Sequence, residues 1–174
     1  MDEQWTRIGD AIRGARDYLT AHPDEAAYSD SAATARLEGG LRVSVTGPDG
    51  ASMMTDMPPS IGGGASAPSP GWLMRAAHAA CVATLIAMRA AEEGIEFGSL
   101  EVTVESDSDD RGILGAGDDV PAGPLRSRVR IRLGAEGVDA DRLRQIAEWG
   151  WRHCPVDDAM RRAIDVAVEI ETGS

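Results

Sequence analysis

Residues 69–94, SPGWLMRAAHAACVATLIAMRAAEEG, constrain the fold more than any other stretch of this chain. Ser69 is a good helix N-cap, and Pro70 suits the first helical position, where its missing N–H would have no partner anyway. Leu73, Ala76, Ala77, Ala80, Cys81, Thr84, Leu85 and Met88 recur at three- and four-residue steps, which predicts a helix with these residues on its inner face. Ala79, Val82 and Ala83 keep the opposite face nearly apolar as well, so the helix is expected to be central and buried on most sides. Arg89, Glu92 and Glu93 mark its return to water, and Gly94 can adopt the left-handed conformation that ends it. Cys81 then lies about three turns inside a buried helix.

The 174 residues suit a single domain with a good core. Seventeen basic against 29 acidic residues give a net charge of −12, which repels phosphate backbones and anionic lipid, so neither nucleic acid nor a membrane is an expected partner. Every basic residue is arginine, which excludes lysine Schiff-base chemistry. The first residues, MDEQWTRIGD, lack the basic and apolar regions of a secretory signal, and the apolar run over 76–88 is broken by His78 and short for a bilayer. A cytoplasmic location is expected. In that reducing compartment the two cysteines, Cys81 and Cys154, are poor structural staples. They are either packed core residues or reactive thiols.

Residues 3–20 read as an amphipathic helix with Trp5, Ile8, Ile12, Ala15 and Leu19 on one stripe, followed by a patternless acidic linker. Residues 1–33 thus form an N-terminal helix and linker ahead of a domain over 34–174. The period then changes to two: Ala35 and Leu37, then Leu41, Val43 and Val45, flank Gly39-Gly40, and Pro48-Asp49-Gly50 turns the chain into residues 51–55. This predicts a three-stranded meander. Residues 57–67, MPPSIGGGASA, form an irregular segment that either connects or walls a pocket.

Leu100, Val102 and Val104 alternate with Glu101, Thr103 and Glu105, while Val129, Ile131 and Leu133 alternate with Arg128, Arg130 and Arg132, so the two strands should pair with acidic residues facing arginines. The ESDSDDRG stretch has the aspartate spacing of a calcium loop without its glycine and bidentate glutamate, and reads as a solvated turn. Residues 113–124 are expected to form a long mobile loop. Asp139 can cap a second helix, in which Leu143, Ile146, Ala147 and Trp151 face inward, and Pro155 starts a short one with Cys154 at or beside its N-cap. Ile164, Val166, Val168 and Ile170 alternate as a final strand. Helices on mainly antiparallel strands make an α+β layout with a central buried helix.

Local physics favours Cys154 as the thiolate, because free N–H groups at a helix start stabilise an anion. At Cys81 burial opposes the charge unless the fold brings a cation, and a small core side chain is the plain alternative. His78 precedes Cys81 by three residues and His153 adjoins Cys154, so a Cys–His nucleophile pair or a tetrahedral zinc site is conceivable. Neither has a familiar spacing, and a histidine in an alanine-rich helix is more often a packed, hydrogen-bonded side chain. No metal and no cofactor are expected.

PPSIGGG, APSPGWLMRAAHAACVATLIAMRAAEEGIEF, the LEVTVE strand with DDRG, and HCPV before a short helix together resemble the OsmC/Ohr family of osmotically inducible and organic hydroperoxide resistance proteins, over about residues 34–172. The resemblance implies an OsmC-like α+β fold, an intertwined homodimer with paired central helices, and active sites at the interface. It further implies a thiol peroxidase acting on organic or hydrogen peroxide, in which Cys81 attacks the O–O bond and Cys154 resolves the sulfenic acid as a disulfide. A lipoyl-type dithiol would then be the reductant. The family's thiolate-stabilising arginine comes from the first hairpin, where Arg42 is the nearest match and Arg36 the alternative. Its partner glutamate is missing, since that position is Gly71. The alternative reading is therefore a non-catalytic, small-ligand-binding homodimer without efficient peroxidase activity, its interface pocket walled by Ile61 to Gly64 and Trp72.

Overall fold

A computed structural model of the chain describes residues 3–173. Helix α1 (Glu3–Ala21) is followed by the meander β1 (Thr34–Gly39), β2 (Arg42–Thr46) and β3 (Ser52–Thr55), and then by the central helix α2 (Pro70–Glu92). Strand β4 (Ser99–Asp107), the short helix α3 (Asp110–Leu114), strand β5 (Arg126–Gly134), and helices α4 (Ala140–Arg152) and α5 (Pro155–Arg161) complete the order. Both sheets are antiparallel, β1-β2-β3 and β4-β5, so the fold is α+β as the pattern predicts.

The caps form where residue type demands them. Ser69 Oγ accepts from the Trp72 N–H at 3.2 Å to start α2, and Asp139 accepts from the Arg142 N–H at 2.9 Å to start α4. Gly94, at φ 70°, follows the last turn of α2. The core lies where α2 meets α4: Val82, Ile86 and Ala90 pack with Ile146, Ala147 and Cys154, and Leu100, Val102, Ile131 and Leu133 close it from the β4-β5 sheet. Gly150 allows this crossing, because a Cβ there would stand 2.7 Å from the backbone nitrogen of Ile86. At the other end of α2, Trp5 donates to the Ile95 carbonyl and Arg13 to that of Glu92, which fastens α1 to the exit of the central helix. The outer face of β4-β5 carries the expected charge pairing, with Arg132 on Glu101 and both Arg128 and Arg130 on Glu105. These pairs are exposed, and each is worth little.

Four expectations need correction. The buried stripe of α2 is His78, Val82, Ile86, Ala90 and Ala91, whereas Ala77, Ala80 and Thr84, assigned to the inner face, are exposed. In a helix that is apolar all round, periodicity cannot select the side that this chain covers. Residues 164–170 form no strand, and Val166 and Ile170 are 75% and 83% exposed. Their alternation is real, but a strand also requires a backbone partner, and none of the described residues supplies one. The loop expected over 113–124 begins inside α3, which Asp109 caps through the Arg111 N–H. Finally, by length and hydropathy α2 as a whole could cross a bilayer, although the uninterrupted run within it is short. Here it packs on α1, α4, α5 and β4 instead.

The three-stranded meander forms as expected but, among the described residues, packs on no other element to any extent, and Leu37 and Met53 are 70% and 51% exposed. Beyond β3, Asp56 organises the irregular segment before α2. Its carboxylate accepts from the N–H groups of Met57, Gly64 and Ser66 and from Ser66 Oγ. Those bonds hold its carboxyl down at about 2.

Candidate active site

The two cysteines, far apart in sequence, are neighbours in space. Cys81 sits on α2, half-buried against the core, and Cys154 is fully buried as the N-cap of α5. Both are free thiols, Cys81 packs against the cluster that holds Cys154, and the Cys81 thiol bears on the charge that Cys154 can carry. Cys154 arrives there because α4 ends at His153 and Pro155 restarts the chain as α5, which itself packs on α2. The Asp157 N–H donates to Cys154 Sγ at 3.4 Å, so the sulfur caps the helix as a serine hydroxyl would.

The expected advantage of Cys154 as a thiolate is overturned by burial. Burial pushes its thiol above the ordinary range; the amides of Asp157 and Val156 pull the other way without offsetting it, and the adjoining Cys81 thiol pushes it up further. Of the two sulfurs, Cys81 is the more open to a reactant.

Arg42 and Arg36 lie on the meander, exposed and without an ion pair among the described residues, and within this chain they do not adjoin Cys81. Gly71 opens α2 with no carboxylate beside it, and Arg75 Nη1 is the nearest side-chain atom to where its Cβ would stand. His153 faces away from the thiols: its Nδ1 bonds the Trp149 carbonyl and its ring stacks on that indole. His78 is buried, but turned toward α5, where its Nε2 lies 3.2 Å from Asp157 Oδ1. Among the described residues no group of three or more His, Cys, Asp or Glu side chains could hold a metal ion.

Asp157 was not singled out by the sequence. The same carboxylate meets Arg161 Nε at 2.6 Å, making a His78–Asp157–Arg161 chain directly behind Cys154. The available signal was His78 itself, since a polar ring in an alanine-rich buried helix demands a partner. A cavity of about 760 Å³ adjoins this chain, lined by Met74 and His78 of α2, Val129 and Ile131 of β5, and Trp151 of α4. Residues 61–64 and Trp72, expected to wall a pocket between subunits, do not line this cavity.

The sequence profile of the OsmC-like protein family matches residues 62–169. No curated protein matches the chain. Among solved structures, the fold is similar to an OsmC-like protein from Mycoplasma pneumoniae, at TM-score 0.65 and 13% identity over 78% of this chain and 89% of that one. It is also similar to the organic hydroperoxide resistance protein OsmC from Legionella pneumophila, at TM-score 0.57 and 23% identity over 78% of this chain and 91% of that one. The organic hydroperoxide resistance protein OhrB of Bacillus subtilis aligns at TM-score 0.52 and 23% identity, over 83% of this chain and all of the other. At these identities the likeness establishes the fold, while the profile match over more than half of the sequence establishes the family: the chain belongs to the OsmC-like proteins.

Proposed function

We propose that the protein is a cysteine-based thiol peroxidase that reduces organic hydroperoxides, or hydrogen peroxide, as a homodimer in the cytoplasm. The observation that carries this reading is the meeting of a half-buried Cys81 with a fully buried Cys154 inside one site. Two family relatives of the same fold bear the name organic hydroperoxide resistance protein, which supports a peroxide as the substrate.

The reaction needs each thiol in a different role. The Cys81 thiolate attacks the distal peroxide oxygen and the O–O bond breaks. The departing alkoxide takes a proton to become the alcohol, leaving Cys81 as a sulfenic acid. Cys154 then attacks Cys81 Sγ, hydroxide leaves and is protonated to water, and a disulfide joins the two. A dithiol of the lipoyl type restores both thiols by exchange. Burial raises the Cys154 thiol and keeps it from competing with Cys81 for the peroxide, which suits the second role.

Two features favour a dimer. The exposed stripe of Ala77, Ala80 and Thr84 lets another helix approach closely, and the meander leaves its apolar residues uncovered. If the meander of one copy covers the open face of α2 in the other, it carries Arg42 and Arg36 toward that face and supplies the cation that one chain lacks.

Steady-state reduction of cumene hydroperoxide with dihydrolipoamide as electron donor tests the reading. Turnover should vanish in both Cys81→Ser and Cys154→Ser and fall in Arg42→Ala; a wild-type rate no faster than the dithiol alone would overturn it.

A further inference from the structure

The two-cysteine reading leaves one buried polar pair without a use. His78 and Asp157 are 2% and 7% exposed, and neither has a part in the attack on peroxide or in the bonds exchanged between the sulfurs. His78 Nε2 lies 3.2 Å from Asp157 Oδ1, and His78 makes no other polar contact among the described residues. Burying a carboxylate against an imidazole costs stability that two apolar side chains would not.

The place of the pair relative to the sulfurs is specific. His78 stands three residues before Cys81 on α2, and Asp157 three residues after Cys154 at the start of α5. Their contact therefore crosses between the two helices one turn, about 4.5 Å along each axis, from the thiols. Asp157 is tied at both ends. Its backbone N–H donates to Cys154 Sγ at 3.4 Å, while its carboxylate meets Arg161 Nε at 2.6 Å as well as His78. Arg161 in turn lies over the Trp151 ring of α4, 5.4 Å from its centroid. The residue that holds the second sulfur is thus itself fastened to the helix that carries the first.

We propose that His78 and Asp157 are positioning residues for disulfide closure, holding the Cys154 turn of α5 against the Cys81 turn of α2. A disulfide closes only when the two Cα atoms stand within a narrow range, about 4.4–6.8 Å, and the attacking sulfur can reach the one it attacks. Loss of the contact removes the polar tie between α5 and α2, so closure slows. The first attack by Cys81 on an oxidant does not need α5 in place and keeps its rate. The assignment rests on the pairing of Cys81 with Cys154 in the proposed function, but not on peroxide as the oxidant.

Oxidised glutathione separates the two steps in the full-length reduced protein. The Cys81 thiolate attacks one sulfur of the glutathione disulfide, and a glutathione thiolate leaves and takes up a proton. The deprotonated Cys154 then attacks Cys81 Sγ and releases the second glutathione, which leaves the protein disulfide. Acid quenching and intact-mass spectrometry follow both products. In the wild type, closure should outrun the first step. In His78→Phe and Asp157→Ala the mixed disulfide should accumulate as closure slows about tenfold. The double variant should be no slower than the slower single variant, since all three lose the same contact. His78→Gln, which offers an amide N–H to the Asp157 carboxylate, should recover most of the rate. In the Cys154→Ser background, none of these changes should alter the first step by more than about twofold.

Closure at the wild-type rate in His78→Phe would overturn the proposal even with a lowered melting temperature, since the pair would then serve stability alone. Equal slowing of both steps, no recovery in His78→Gln, or a double variant slowed by the product of the single effects would overturn it as well. Should Asp157→Ala fail to fold, the two His78 variants decide. A wild type that stops at the mixed disulfide would overturn this proposal together with the resolving role of Cys154. A wild type that closes its disulfide in glutathione with the help of His78, yet leaves cumene hydroperoxide unreduced, would refute the peroxidase reading and leave the positioning role standing.

Discussion

The backbone N–H of Asp157 donates to Cys154 Sγ at 3.4 Å, so the thiol of a fully buried cysteine terminates a helix instead of facing water. That relationship sets how the second thiol behaves in the reduced protein. Burial outweighs the helix amides, and the thiol is raised above its ordinary range.

A raised thiol makes stability depend on alkaline pH. Below the unfolded-chain value, about 8.5, both folded and unfolded forms keep the proton and the contribution is complete. Above it the unfolded chain ionises first, so stability falls as pH rises through the higher folded value. Urea denaturation of the reduced protein between pH 7.5 and 9.5 should show a steeper decline for the wild type than for Cys154→Ala.

Asp56 behaves with the opposite sign. Bonds from Ser66, Met57 and Gly64 hold its carboxyl at about 2, so its contribution is complete above the ordinary carboxylate range and is lost as pH falls through about 2. Asp56→Asn should lower the melting temperature at pH 7 and speed hydrogen exchange at the Gly64 and Ser66 amides. Unchanged exchange would show that the segment before α2 is held by something other than this carboxylate.

Gly150 is a packing requirement of the α2–α4 crossing. A Cβ there meets the Ile86 backbone at 2.7 and 2.8 Å, which no rotamer change relieves. Gly150→Ala should cost about 2 kcal/mol in denaturant unfolding, within the usual range for overpacking a core.

The open face of α2 tests the dimer. Ala80→Arg and Thr84→Arg place a long charged side chain on the exposed stripe, away from the buried stripe of Val82, Ile86 and Ala90. Analytical ultracentrifugation should find the wild type dimeric and both variants monomeric and folded.

Features fixed by local chemistry were legible in the sequence. Ser69 with Pro70, Gly94, Gly39-Gly40 and Cys154-Pro155 each mark a terminus or turn through their own side chain or backbone freedom, and the structure puts a cap or turn at each. Features that depend on distant partners were not. Val82 and Ala80 are both apolar, and the packing of α4 on α2 fixes that the larger Val82 is the one buried. Residues 164–170 have the alternation of a strand but pair with no strand among the described residues. The pairing of Cys81 with Cys154 follows from the packing of α5 on α2, and no spacing in the chain announces it.

The central claim is that Cys81 and Cys154 form a peroxide-reducing pair. Intact-mass spectrometry of the reduced protein after brief exposure to about one equivalent of cumene hydroperoxide tests it most directly. The wild type should lose the mass of two hydrogens as its disulfide forms, Cys154→Ser should gain one oxygen as a trapped sulfenic acid, and Cys81→Ser should not change. A wild-type mass unaltered after minutes of exposure, or an oxygen gained by Cys81→Ser at the wild-type rate, would contradict the account.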